Sequence, residues 1–187
     1  GGTQEAKDAL QPVELTVWRV FDDSDTWSEI IDDYRKTHPN VRINYKKLRF
    51  DEYQDELLQA LAEDRGPDVF VVHNTWMKKY LPLIEPMPDT VRVAYKEMRG
   101  TVKKEEVVVI RNEPTMNMRQ LNERFVQVVG EDVVYPATVD GETTNRIHGL
   151  PLSVDTLALF YNKDILDAAG IPEPPRTWDA FLQTVIK

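Results

Sequence analysis

The chain has 187 residues, 23 Lys plus Arg against 32 Asp plus Glu, and a formal charge of −9. That acidic balance argues against a nucleic-acid or anionic-membrane surface, which needs cationic side chains to neutralise phosphates, and the lack of any cysteine excludes disulfides, thiolate catalysis and Cys-ligated zinc. With 41% hydrophobic residues the chain can bury a sizeable core, in a length that suits one complete domain better than two.

Residues 1–12 begin with Gly1 and Gly2 and continue as a polar run, and read as a cloning remnant and a tether. Val13, Leu15 and Val17 then alternate with Glu14, Thr16 and Trp18, the period of a strand. Ser24 or Asp25 is expected to cap a helix whose Trp27, Ile30, Ile31 and Tyr34 share one face, and His38-Pro39 should stop it. Val41, Ile43 and Tyr45 predict a second strand. Asp51 is expected to cap a second helix carrying Tyr53, Leu57, Leu58 and Leu61. Val69 to Val72 form a continuous apolar run, the pattern of a strand buried on both faces.

Strand, helix, strand, helix, strand predicts an α/β fold: a mostly parallel sheet with helices on both faces. In such sheets ligands bind outside the carboxyl ends of the strands. Two loops are thereby nominated, Phe21 to Ser24 after the first strand and His73 to Trp76 after the third.

Met87 to Arg111 lacks a clean period and reads as a loop-rich insertion with short strands at Val91 to Tyr95 and Val107 to Ile110. Thr115 is expected to cap a helix bearing Met118, Leu121, Phe125 and Val128. Asp140-Gly141 signals a turn, within a long polar loop through Arg146. Leu157, Leu159 and Tyr161 alternate as a strand. Asp164 to Ala169 predicts a short helix stopped by Gly170, and Thr177 should cap a last helix with Trp178, Phe181, Leu182 and Val185 on one face. That helix runs to Lys187 without a stop signal, which suggests a fragment cut inside a second domain.

Gly66-Pro67-Asp68-Val69-Phe70, the run from Gly149-Leu150-Pro151 through Tyr161-Asn162-Lys163-Asp164, Ala169-Gly170-Ile171-Pro172 and Pro175-Arg176-Thr177-Trp178, taken in order, resemble the extracellular solute-binding proteins of ABC importers, the maltose-binding-protein-like family. The resemblance covers residues 13–187 and is weakest over 87–140, where extra charged residues depart from the family pattern. It implies two α/β lobes closing on a solute: residues 13–155 as the first lobe with an insertion at 87–148, residues 156–163 as a hinge-crossing strand, and residues 164–187 as the start of a truncated second lobe. It also implies a sugar or oligosaccharide as ligand, ABC permease subunits as partners, and a place outside the cytoplasm, in the periplasm or on the cell surface. A lipid anchor removed with the N-terminus would then tether it to the membrane.

The candidate ligand contacts are Asp22, Asp23, Asn74 and Trp76, from the two nominated loops, and Asp155, which stands where the family often places a ligand-facing side chain. Each has a plainer role as a cap, turn or core residue. Asp22, Asp23 and Asp25 also raise a doubly wound enzyme, but an Asp-x-Asp-x-Thr aspartyl site would need threonine where Trp27 stands. Trp27 and Trp76 offer flat faces to a sugar ring, Trp27 being better suited to the helix stripe. His38, His73 and His148 are too far apart for a metal site, and no Gly-rich phosphate loop or nucleophile elbow occurs, so neither cofactor, metal nor catalysis is expected. A surface interaction module that has lost solute binding is the third reading, motivated by the 87–148 insertion.

Overall fold

A computed structural model describes residues 4, 8–101 and 103–186. Half of the expected tether, residues 1–3 and 5–7, lies outside the described residues. The chain divides into two compact units, Gly1–Pro151 and Leu152–Lys187.

The first unit opens with the expected α/β pattern. Strand β1 (Val13–Arg19) is followed by helix α1 (Ser24–Thr37), β2 (Val41–Lys47), α2 (Phe50–Ala62) and β3 (Val69–Phe70). The three strands form one sheet in the order β2-β1-β3, both pairings parallel, with Val17 beside Tyr45 and Val69 and Trp18 beside Lys46 and Phe70. Neighbouring residues of a strand face opposite sides, so β1 serves two layers. Trp18 and Val20 face α2 and bury against Tyr53, Leu57 and Ala60. Arg19 faces α1, whose Trp27 stacks on Tyr45 at 5.4 Å. The sheet thus carries a helix on each face.

Several local expectations change. The side chains of Ser24, Asp25 and Asp51 do not act as caps: the N-caps are Asp23 for α1 and Arg49 for α2, neither with a side-chain hydrogen bond to the helix. Asp51 instead pairs with Arg49 at 2.8 Å. Half of the α1 stripe, Ile30 and Tyr34, stays exposed, because α1 packs along β2, the last strand on that side. The run at Val69 is not a strand buried on both faces: β3 has two residues at the other sheet edge, and Val69 is exposed. Tyr53 takes up the ladder beyond it, donating its hydroxyl to the Val71 carbonyl at 2.7 Å.

After β3 come a 3-10 turn at Asn74–Trp76, the short helix α3 (Met77–Tyr80) and a second 3-10 turn at Leu81–Leu83. The expected loop-rich insertion is a regular antiparallel hairpin, β4 (Thr90–Arg99) and β5 (Glu105–Pro114), in which cross-strand pairs such as Lys96 with Glu106 at 3.1 Å satisfy the charged residues that obscured its period. Next are α4 (Met118–Arg124) and α5 (Val128–Val133). Thr115 is not the cap of α4, since its hydroxyl donates to the Pro88 carbonyl. Asn117 caps it reciprocally with Gln120, at 3.0 and 3.1 Å. The Asp140-Gly141 turn joins β6 (Val134–Val139) directly to β7 (Glu142–Ile147), not through a long loop. Both turn residues have positive φ, 53° and 82°, as a two-residue turn of this hand requires. Leu121, Val129, Val133 and Ile147 form the second core of this unit.

In the second unit residues 152–162 carry no helix or strand, so the alternating strand at 157–161 does not form, and Leu157 is 99% exposed. Alternation marks a strand only where a neighbour completes its ladder, and among the described residues this segment pairs with none. Helix α6 (Lys163–Ala168) is capped by Asn162, whose amide oxygen accepts from Asp164 and Ile165, and stopped by Gly170 at φ 71°. Thr177 caps α7 (Trp178–Val185) as expected, accepting from the Ala180 N–H at 3.2 Å.

Candidate functional site

Because β1, β2 and β3 run parallel, the residues that follow them gather at one edge of the sheet: Phe21 to Asp23 after β1, Leu48 to Phe50 after β2, and Val71 to Asn74 after β3. A parallel sheet ends in unpaired backbone at this edge, and loops can reach a ligand there without disturbing the ladder.

Asp22 and Asp23 are held from below. The Asp22 carboxylate pairs with the Arg19 guanidinium, and the Tyr45 hydroxyl donates to the Asp22 carbonyl. The Asp23 carboxylate accepts from Lys47 Nζ at 2.5 Å and raises the lysine above its ordinary range. Burial pushes the Tyr45 hydroxyl up, against the opposing pull of Arg19. Each aspartate is therefore engaged by one cation while part of its carboxylate stays open, 38% of the Asp22 side chain being exposed. The arrangement is that of fixed hydrogen-bond acceptors. Asp25 lies in the first turn of α1.

On the β3 side Asn74 donates to the Asp132 carboxylate of α5 at 3.3 Å, which fixes its amide, while the His73 ring accepts from the Thr75 N–H. Trp76 is half-buried, packed in part against the first core. Trp27 lies between Tyr45 and the Arg19 guanidinium, 5.0 Å from its ring centre, and belongs to the packing of α1. The exposed aromatic surface at this edge comes from Phe21, which opens the first nominated loop without being one of the candidate contacts, and Phe50, which lies outside both loops. Phe21 and Phe50, 75% and 61% exposed, stack at 5.8 Å beside an open groove of about 490 Å³ lined also by Val20, Lys47, Leu48, Arg49 and Asp51. The signal that could have found them is that each lies at the carboxyl end of a strand and outside the apolar stripe of the helix that follows. Asp155 is exposed in the irregular segment of the second unit.

The sequence model of the bacterial extracellular solute-binding protein family matches residues 29–187. A maltotriose-binding protein of Pyrococcus abyssi is 21% identical over 180 residues, which are 95% of this chain and 29% of that protein. Among solved structures, the sugar-binding protein MalE of Xanthomonas citri superposes with a TM-score of 0.52 at 24% identity, covering 93% of this chain and 37% of its own. The galacto-N-biose/lacto-N-biose I-binding protein of a Bifidobacterium longum ABC transporter does so with a TM-score of 0.53 at 19% identity, over 92% and 36%. The chain spans less than a third of the length of the curated relatives it matches.

Proposed function

As this chain belongs to the bacterial extracellular solute-binding protein family, we propose that it is part of the substrate-binding component of an ABC importer that captures a sugar or oligosaccharide outside the cytoplasm, in the periplasm or at the cell surface, and delivers it to permease subunits. A lipid anchor tethers it in this reading. Binding, with no chemical step, is the activity. The observation that carries the reading is the sheet edge itself: two pinned carboxylates, Asp22 and Asp23, an oriented amide, Asn74, and the stacked Phe21 and Phe50 rings. Hydroxyl-rich ligands need acceptors for their O–H groups and a flat apolar surface for the C–H face of a ring. Names of similar proteins that bind maltotriose, maltodextrin and lacto-N-biose support the same class. Asp155 is retained as a separate ligand contact with its own variant. Trp76 is retained as a ligand contact through the part of its ring that is not packed on the core.

Calorimetric titration with maltotriose, lacto-N-biose and a set of amino acids tests this. Sugar binding is expected, and Asp22→Ala and Asp155→Ala should each weaken it by about ten- to a hundredfold, the effect of losing a hydrogen bond to a charged acceptor. Heat from amino acids alone would overturn the ligand class. Folded variants that bind like the parent would overturn the residue assignment.

Among the described residues no helix is long and apolar enough to cross a membrane.

A further inference from the structure

Arg19 is 9% exposed and is the one charged residue among those buried in the described structure. It ends the central strand β1, and only one of its guanidinium nitrogens, Nη2, meets a carboxylate, that of Asp22. Nε and Nη1 are buried without a hydrogen-bond partner among the described residues. Its plane lies over Trp27, which stacks in turn on Tyr45, whose hydroxyl holds the Asp22 carbonyl.

A half-satisfied buried cation is a poor way to stabilise a core. Taking a guanidinium out of water is costly, and contacts with Asp22, Tyr45 and the Trp27 ring return only part of that cost; removing one partner of a buried pair is destabilising when it strands a buried charge, but Asp22, 38% exposed, stays solvated without the arginine. The position on β1 does not require the charge, since Val17 on the same face is apolar and buried. What the charge does accomplish is local. It draws the Asp22 carboxylate toward the end of β1 while Tyr45 holds the carbonyl of the same residue, so Asp22 is fixed at both its side chain and its backbone, immediately before α1.

We propose that Arg19 is the positioning residue of the sheet-edge site: it fixes the Asp22 carboxylate and the turn into α1 in the geometry that receives a solute, and it is present for that loop and not for the stability of the lobe. The proposal rests on the sugar-binding reading above, yet it makes a separate claim about the unliganded chain. A fixed acceptor does not lose orientational freedom when a solute arrives, so the order of the loop passes directly into affinity.

Arg19→Met and Arg19→Lys in the full chain test it, with thermal unfolding, amide hydrogen exchange and calorimetry against maltotriose. Arg19→Met should melt within about 3 °C of the parent, or above it, while amides in the turn at residues 22–26 exchange about tenfold faster and those of α2 are unchanged. Where the parent binds maltotriose, affinity should fall by about tenfold or more in Arg19→Met and less in Arg19→Lys, which keeps the charge beside Asp22. A variant losing affinity while keeping or gaining stability is a result that a purely structural arginine would not give. A large fall in melting temperature with faster exchange throughout the lobe, or unchanged exchange at residues 22–26, would overturn the proposal. If the parent binds no sugar, the ligand reading fails, and the melting and exchange results still decide the role of Arg19.

Discussion

The rings of Phe21 and Phe50 stack at 5.8 Å with 28° between their planes, one following β1 and the other opening α2. Both are mostly exposed, so the pair adds little to the core and stands as a preformed apolar surface beside the Asp22 and Asp23 acceptors.

Replacing either ring should therefore separate binding from stability. Phe21→Ala and Phe50→Ala should each cost about 0.5–1.5 kcal/mol or less in urea unfolding, the scale of an aromatic pair, and should weaken maltotriose binding together with the loss of their mutual contact. A double variant no weaker in binding than the parent would remove the groove from the site.

The contrast between a core leucine and an exposed one makes a sharper stability prediction. Leu57 is 0% exposed and packs under the sheet, so Leu57→Ala should cost about 2–5 kcal/mol. Leu157, at the other extreme, should be replaceable by Ala within about 0.5 kcal/mol. Equal effects of the two in urea unfolding would contradict the burial that distinguishes them.

Burial holds the Tyr53 hydroxyl well above the ordinary tyrosine range, outweighing the hydrogen bond it accepts from the Val71 N–H. A folded-state value raised above the unfolded one means that the unfolded chain loses its proton first as pH rises. The contribution of Tyr53 is complete below about pH 10 and is lost as pH climbs above it. Unfolding free energy measured between pH 9 and 11 on the parent should fall with pH, and Tyr53→Phe should flatten that slope.

Asn117→Ala removes a reciprocal cap and should cost about 1 kcal/mol, read as a shift of the urea midpoint with unchanged slope. Thr115→Ala should leave α4 intact, because that hydroxyl serves the Pro88 carbonyl and not the helix. Faster exchange across α4 in the threonine variant would reverse the assignment of the cap.

The sequence by itself determined whatever depends on residues within a turn or two of one another. The alternation at Val13 to Val17, the stop at His38-Pro39, the cap at Thr177 and the αL stop at Gly170 are local, and the order of elements through β3 follows from them. It also nominated one sheet edge, since a parallel sheet has only one edge where its strands end together. Tertiary structure decided what depends on partners far along the chain. The charged residues of β4 and β5 show no clean period until each meets its opposite number. Leu157 to Tyr161 alternate yet join no ladder among the described residues. Arg19 reads as one more polar residue at a strand end, and becomes a buried cation only when Trp27 closes over it and Asp22 turns back to meet it. Phe21 and Phe50 become a surface only when β1 and β2 lie side by side, because stacking needs two rings within a few ångströms and sequence distance carries no such information.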